Sequence, residues 1–304
     1  MAASGTSAIV VPERSLPLNL LISLRPGQWT KNLLVFAGLL FAKRLFDPRA
    51  IADATAAFTI FCALSGAVYL INDIADRDVD RRHPIKARRP IASGALPVAA
   101  AASSAVVLIV GGLAGAFFIN VNFGLVVAGY LALQVLYSIK LKHLVILDVL
   151  AIAIGFVLRA VGGAFAITVE ISHWLLICTI LLALFIALAK RRHELVLLAD
   201  GATSHRPILV EYSSYLLDQM IAVVTASTLV AYIFYTISPE TQEKFGTALL
   251  ELTIPFPIYG IFRYLYLVHR RDGGGSPAEL LLTDRPLLAC VALWAASVAF
   301  IIYR

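Results

Sequence analysis

Nine apolar segments dominate this 304-residue chain, at approximately 27–46, 51–72, 97–119, 122–138, 145–167, 173–190, 214–237, 246–268 and 284–303. Most approach the ~20 residues that a helix needs to cross ~30 Å of hydrocarbon. Ala, Leu, Val and Phe recur in them without alternation at period two, which argues for helices and against a barrel. Gly and Pro inside the runs are tolerable, because neighbouring helices satisfy the freed backbone groups. The expected fold class is all-α, a polytopic membrane bundle of about nine transmembrane helices with a cytoplasmic cap of loops. It forms one domain over 1–304, of which 1–24 are an N-terminal cytoplasmic segment.

Composition agrees. Hydrophobic residues make up 60% and charged residues 14%, against roughly 45–50% and about 25% in an average soluble domain. That balance excludes a disordered chain and argues against a soluble globule. The net charge of +6 reads as orienting charge facing anionic headgroups, not as a nucleic-acid surface. With the N-terminus cytoplasmic, eighteen of the 25 basic residues fall on one side. Lys43, Arg44, Arg49, Lys244 and Arg304 fall on the other, and Arg159 and Arg263 lie within spans. The positive-inside rule then predicts a multi-pass plasma (inner) membrane protein whose N-terminus and active site are cytoplasmic. Cys62, Cys178 and Cys290 sit inside apolar runs and build neither a disulfide framework nor a metal knuckle. The first twenty residues lack the pattern of a cleaved signal peptide.

The most informative polar stretch is Asn72-Asp73-Ile74-Ala75-Asp76-Arg77-Asp78-Val79-Asp80, at the end of the second span. If the helix continues, Asp73, Asp76 and Asp80 share one face while Asp78 points away. Carboxylates so spaced repel one another, and a hard cation such as Mg²⁺ removes the conflict while bridging to phosphates. Asn72, one position before, adds a carbonyl. The competing reading is a solvated loop whose acids pair with the following arginines. The next stretch, Arg81 to Gly94, is a structured loop by its prolines and glycine. Its Lys86, Arg88 and Arg89, ahead of Arg81 and Arg82, suit a diphosphate, although positive-inside topology accounts for some of these charges.

Arg159, some eleven residues beyond Asp148 on the fifth span, shares nearly one face with it, about 16 Å away. An arginine at such depth should face the bundle interior and is a functional candidate by default. The alternative is an arginine paired for packing alone. Asp148 suits either the orientation of Lys140 or a ribose hydroxyl, or a plain ion pair. His83, His143 and His193 show no metal-binding spacing.

The pattern Asn-Asp-x-x-Asp-x-x-x-Asp followed by Arg-Pro-Ile-Ala-Ser-Gly resembles the UbiA superfamily of intramembrane prenyltransferases. Arg25-Pro-Gly-Gln28-Trp-Thr-Lys31-Asn32, Tyr137-Ser-Ile-Lys140-Leu-Lys142-His143, Gly155–Ala160, Lys190-Arg191-Arg192-His193-Glu194 and Thr283-Asp284-Arg285 resemble a narrower branch, the decaprenyl-phosphate phosphoribosyltransferases. The likeness extends over essentially the whole chain. It implies a UbiA-like fold, Mg²⁺ held by Asn72, Asp73, Asp76 and Asp80, and catalysis through the three aspartates. It implies 5-phosphoribosyl 1-diphosphate as donor, a polyprenyl phosphate as acceptor, and a role in arabinan precursor synthesis for the cell wall. The implied substrate-binding residues are Gln28, Lys31, Asn32, Arg77, Lys86, Arg88, Arg89, Tyr137, Lys140, Lys142, Asp148, Arg159, Lys190, Arg191 and Glu194. The chain departs from the aromatic prenyltransferases of the superfamily where those carry a second aspartate-rich motif, here replaced by Lys190, Arg191, Arg192 and Glu194. Prenyl transfer to an aromatic or lipid acceptor is the alternative activity. Transport is disfavoured, because no internal repeat is evident and the acids cluster at one membrane edge. Self-association is left open.

Overall fold

A computed structural model describes residues 15–199, 207–270, 280 and 283–304. All elements among them are α- or 3₁₀-helical. The principal helices are α1 (Leu16–Ser23), α2 (Pro48–Ala75), α3 (Val98–Ile119), α4 (Val121–Ile139), α5 (Leu147–Ala166), α6 (His173–Ala199), α7 (Ser214–Ile237), α8 (Pro255–Arg270) and α9 (Arg285–Tyr303). Seven helices among the described residues are long and apolar enough to cross a membrane. An eighth span results if Pro239–Phe245 and Leu249–Arg270, bent by 102°, count as one.

The expected first span, 27–46, differs in kind. It is a 3₁₀-helix, Pro26–Phe36, followed by the short helix Ala37–Phe41. Gly27 lowers α-helical propensity, and Gln28, Thr30, Lys31 and Asn32 interrupt the apolar face. Irregular backbone at membrane depth is tolerated where protein encloses it, and Asn32 and Val35 are buried. Six of the remaining spans match their expected segments to within a few residues. The segment 173–190 continues to Ala199, and 246–268 is broken into a 3₁₀ turn, Leu249–Thr253, and the helix Pro255–Arg270. The whole is consistent with a bundle of about nine. Of the expected N-terminal segment, residues 1–14 lie outside the described residues, as do Arg206 and Arg271.

The chain divides into two units, Met1–Trp29 with Cys62–Gly112, and Thr30–Phe61 with Leu113–Arg304. In the first, Ala67 and Leu70 of α2 pack on Ile91, Leu96 and Ala101, with Leu20 of α1 and Leu24 just after it against them. The loop after the acidic stretch is pinned by Arg81 Nε donating to the Ala92 carbonyl at 3.0 Å. It turns back at Gly94, whose φ of +86° suits a residue without a side chain.

In the second unit, α5 is the organising helix, and its small residues allow close approach. A Cβ on Gly163 would run into the Val35 backbone, so the 3₁₀ segment can lie directly on α5. Phe61 meets Phe123 and Tyr130 edge-on, at 6.0 and 5.3 Å between ring centroids. A second core joins Phe185, Leu188, Leu217, Ile221, Tyr264 and Leu267 from α6, α7 and α8. Asn120 caps α4 by accepting from Phe123 N at 2.8 Å, and donates to the Phe165 carbonyl at 2.8 Å. Such caps satisfy helix-end donors that hydrocarbon cannot.

Candidate functional site

Two polar clusters carry the expected site residues, one in each unit. In the first, α2 ends at Ala75, and Asp76 (φ −88°, ψ 2°) leads into one further turn, Arg77–Asp80. Asp76 N still bonds the Asn72 carbonyl and Asp80 N the Asp76 carbonyl, at 2.9 and 2.8 Å. The acids nevertheless divide by burial. Asp73 and Asp80 are buried, at 3% and 2% exposure, whereas Asp76 and Asp78 are exposed and Asn72 is half-buried.

Arginines from outside the helix meet the buried pair. Arg89 Nη1 donates to Asp73 Oδ1 at 3.0 Å and to Asp80 Oδ2 at 2.6 Å. Arg25 Nη2 donates to the same Asp73 oxygen at 2.5 Å, and its guanidinium lies 4.6 Å from the centre of the Tyr69 ring. Arg25 holds a left-handed backbone, φ 53°, a conformation that costs a non-glycine residue energy. Asp73 Oδ2 and Asp80 Oδ1 remain outside these bonds.

Among the described residues no three His, Cys, Asp or Glu side chains are arranged to cage a metal ion. Two hard carboxylate oxygens do fit Mg²⁺, which commonly uses one or two carboxylates together with waters and substrate phosphates. Three buried donors in this unit also lack partners, Trp29 Nε1, Arg77 Nε and His83 Nε2. His83 Nδ1 accepts from Ile85 N and Lys86 N at 3.1 and 3.2 Å, so the proton of its neutral ring sits on Nε2. Buried donors without acceptors are rare in folded proteins and call for a ligand or water. Lys86 is half-buried and Arg88 exposed.

In the second unit, Asp148 at the start of α5 has no exposed surface and Arg191 of α6 has 1%. Arg191 Nε donates to Asp148 Oδ2 at 2.7 Å, Nη1 to Glu194 Oε2 at 2.7 Å, and Nη2 to the Tyr137 hydroxyl at 3.4 Å. Tyr212 donates to Asp148 Oδ1 at 2.8 Å and accepts from Ile146 N at 2.7 Å. Burial pushes the Tyr212 hydroxyl up to about 12, so it stays protonated at neutral pH. Asp148 is thus committed to Arg191 and Tyr212, not to Lys140, which is exposed; Lys142 is half-buried. Lys190 Nζ stands 4.0 Å from Glu194 Oε1.

Further along α5, Arg159 is buried with Asn32 and Tyr130. Asp148 and Arg159 are both buried, as their shared face requires. Gln28 and Lys31 are half-buried on the 3₁₀ segment. Arg25, Trp29, His83, Tyr130 and Tyr212 are absent from the residues expected to bind. Tyr130 had a readable signal. It lies seven residues before Tyr137 on one face of α4, and each hydroxyl accepts from a buried arginine.

A protein from Corynebacterium glutamicum named decaprenyl-phosphate phosphoribosyltransferase is 33% identical over 96% of this chain and 89% of its own length. A protein of the same name from Mycolicibacterium smegmatis is 34% identical, over 96% of this chain and 95% of its own. A solved UbiA homologue from Archaeoglobus fulgidus, bound to GPP and Mg²⁺, superposes with a TM-score of 0.71 at 21% identity. It covers 94% of this chain and all of its own. The model of the UbiA prenyltransferase family matches residues 32–281. This multi-pass membrane protein, with its apolar helices and near-full-length relatives, belongs to the UbiA prenyltransferase family.

Proposed function

We propose that this chain transfers a 5-phosphoribosyl group from 5-phosphoribosyl 1-diphosphate to a polyprenyl phosphate and releases diphosphate. The observation that carries the reading is near-full-length similarity to two proteins named decaprenyl-phosphate phosphoribosyltransferase. The residues present support it chemically. In the first unit, buried carboxylates, arginines and unpartnered N–H donors are the groups that a metal-bound diphosphate needs. In the second, where a further aspartate-rich motif would be expected for prenyl transfer, Arg191 is a permanent cation between two acids.

Asp73, Asp76 and Asp80, with Asn72, would hold Mg²⁺, which supplies a Lewis acid that neutralises charge on the diphosphate. Arg77, Lys86, Arg88 and Arg89 bind its oxygens, Arg89 by its planar fork, and the His83 Nε2–H adds a neutral donor. Stabilising the leaving group loosens the anomeric C–O bond and lends the ribose oxocarbenium character. The acceptor phosphate is already an anion, so its oxygen attacks the anomeric carbon without a strong general base. The anomeric C–O bond to diphosphate breaks as the bond to the lipid phosphate forms, inverting the centre. Catalysis is then positioning plus electrostatics. Lys190, beside the buried Arg191–Glu194 pair, is a cation for substrate phosphate. By the distribution of Lys and Arg, the N-terminus and these basic loops face the cytoplasm of the plasma membrane, and the product would serve arabinan precursor synthesis.

The test is incubation of purified protein with labelled phosphoribosyl diphosphate, Mg²⁺ and polyprenyl phosphates of several lengths. A labelled lipid that forms with Mg²⁺ and not with EDTA is the expected result. Turnover of a prenyl diphosphate with an aromatic acceptor, and none with phosphoribosyl diphosphate, would establish prenyl transfer instead.

A further inference from the structure

Most other arginines that are buried or half-buried among the described residues end on carboxylates. Arg25 meets Asp73, Arg89 meets Asp73 and Asp80, Arg191 meets Asp148 and Glu194, Arg192 meets Asp218, and Arg263 meets Asp284. Arg159 does not. It is 7% exposed, and its hydrogen bonds all go to neutral groups. Nε donates to Asn32 Oδ1 at 2.7 Å, Nη1 to the Gly155 carbonyl at 2.9 Å, and Nη2 to the Tyr130 hydroxyl at 2.9 Å. The guanidinium also lies over the Tyr130 and Phe156 rings, at 4.9 and 5.2 Å from their centres.

A guanidinium keeps its charge in any protein environment and carries five N–H donors. Three are spent here, and no counter-charge is among the partners. A packing role explains this poorly, since a neutral donor would tie Asn32 to α5 without burying a charge. The surroundings instead fix the fork. Asn32 and the Gly155 carbonyl set its plane, and Tyr130 is itself held by Gln134 Nε2 at 3.0 Å. The bond to Gly155, one turn back, draws the charged head toward the end of α5 that carries Asp148. A fixed, desolvated arginine with donors to spare is an anion receptor, and its geometry matches phosphate oxygens.

We propose that Arg159, oriented by Asn32 and Tyr130, is a subsite for a phosphate monoester. The proposal rests on the phosphoribosyl-transfer reading, in which two groups share this chemistry, the lipid headgroup phosphate and the 5-phosphate of the donor.

The experiment uses the full chain in lipid nanodiscs, as wild type, Arg159→Gln, Arg159→Lys and Tyr130→Phe. KM is measured for polyprenyl phosphate, for phosphoribosyl diphosphate and for ribose 1-diphosphate, which lacks the 5-phosphate. Loss of a charged hydrogen bond should raise the KM of the bound partner about tenfold or more in Arg159→Gln. Arg159→Lys should restore part of the loss, and Tyr130→Phe should shift the same constant by less. If the lipid KM alone rises, the ligand is the headgroup. If donor KM rises and the preference over ribose 1-diphosphate collapses, the ligand is the 5-phosphate. Both KM values within twofold of wild type in folded Arg159→Gln, or in Tyr130→Phe should that variant not fold, would overturn the subsite. Should wild type fail to transfer phosphoribosyl at all, the functional reading falls, and equilibrium binding still judges the subsite. Farnesyl phosphate must then bind wild type more tightly than farnesol does, with the preference lost in Arg159→Gln; an unchanged preference refutes it.

Discussion

Tyr212 joins a buried carboxylate to a strained residue. Ile146 sits at φ 69°, a left-handed backbone that costs a side-chain-bearing residue roughly 1–2 kcal/mol. Its N–H reaches the Tyr212 oxygen at 2.7 Å, and the Tyr212 proton goes to Asp148 Oδ1 at 2.8 Å. Tyr212→Phe removes both bonds. A hydrogen bond to a charged group contributes about 1.5–3 kcal/mol, but the untethered Ile146 can then relax and recover about 1 kcal/mol of strain. The expected net loss is about 1–2 kcal/mol. Ile146→Gly removes the strain at the cost of about 0.5–1 kcal/mol of chain entropy, so it should be neutral or slightly stabilising. In that background Tyr212→Phe has no strain left to release and should cost about 1 kcal/mol more than in wild type. Unfolding by SDS titration in mixed micelles, run on all four proteins, reads the coupling. A Tyr212→Phe cost that is the same in both backgrounds, or an Ile146→Gly variant clearly less stable than wild type, would refute the mechanism.

If the proposed Mg²⁺ assignment holds, Asp73→Asn, Asp76→Asn and Asp80→Asn should each lower transfer by about 10²-fold or more, because each would lose a metal ligand or its orienting charge. Asp78→Asn, whose side chain is exposed beside Arg81, should retain most activity, and equal losses at Asp76 and Asp78 would count against the assignment. The raised Tyr212 hydroxyl stabilises the fold below its unfolded pKa of about 10, and that contribution fades as pH climbs toward about 12. Wild type should therefore lose stability across that window more steeply than Tyr212→Phe, and parallel curves from the two proteins would contradict this. An α-configured donor should yield a β-configured product by NMR; an α product would mean retention and end the single-displacement mechanism.

The spans were legible because hydrocarbon imposes a length and forbids unpaired backbone. That logic failed at 27–46, where apolar content was sufficient but a polar run to Asn32 lies in a 3₁₀ segment, and at 246–268, where the helix is broken before Pro255. Average apolarity over a window does not register where the polar residues fall. Here one of them, Asn32, is buried and accepts from Arg159. The eleven-residue spacing of Asp148 and Arg159 was readable for the same reason that the spans were. A helix repeats its faces, and both residues are buried.

Partners arriving from other elements are a different matter. Helical spacing places Asp73 and Asp80 near one another, but does not show that Arg89 bridges them. That contact depends on the loop from Arg81 to Gly94 folding back, through the Arg81 bond to Ala92 and the left-handed turn at Gly94. Arg25 reaches Asp73 from a residue with positive φ, which no propensity would assign to arginine. The loop's basic residues were legible as phosphate ligands or topology signals, since charge type is local information. Their third role, neutralising the buried acids, is a property of the folded loop. It bears on chemistry directly, because guanidinium charge set between the two buried carboxylates offsets their mutual repulsion. In the proposed transfer, Asp73 Oδ2 and Asp80 Oδ1, which lie outside those bonds, are the oxygens left for a cation that accompanies the diphosphate.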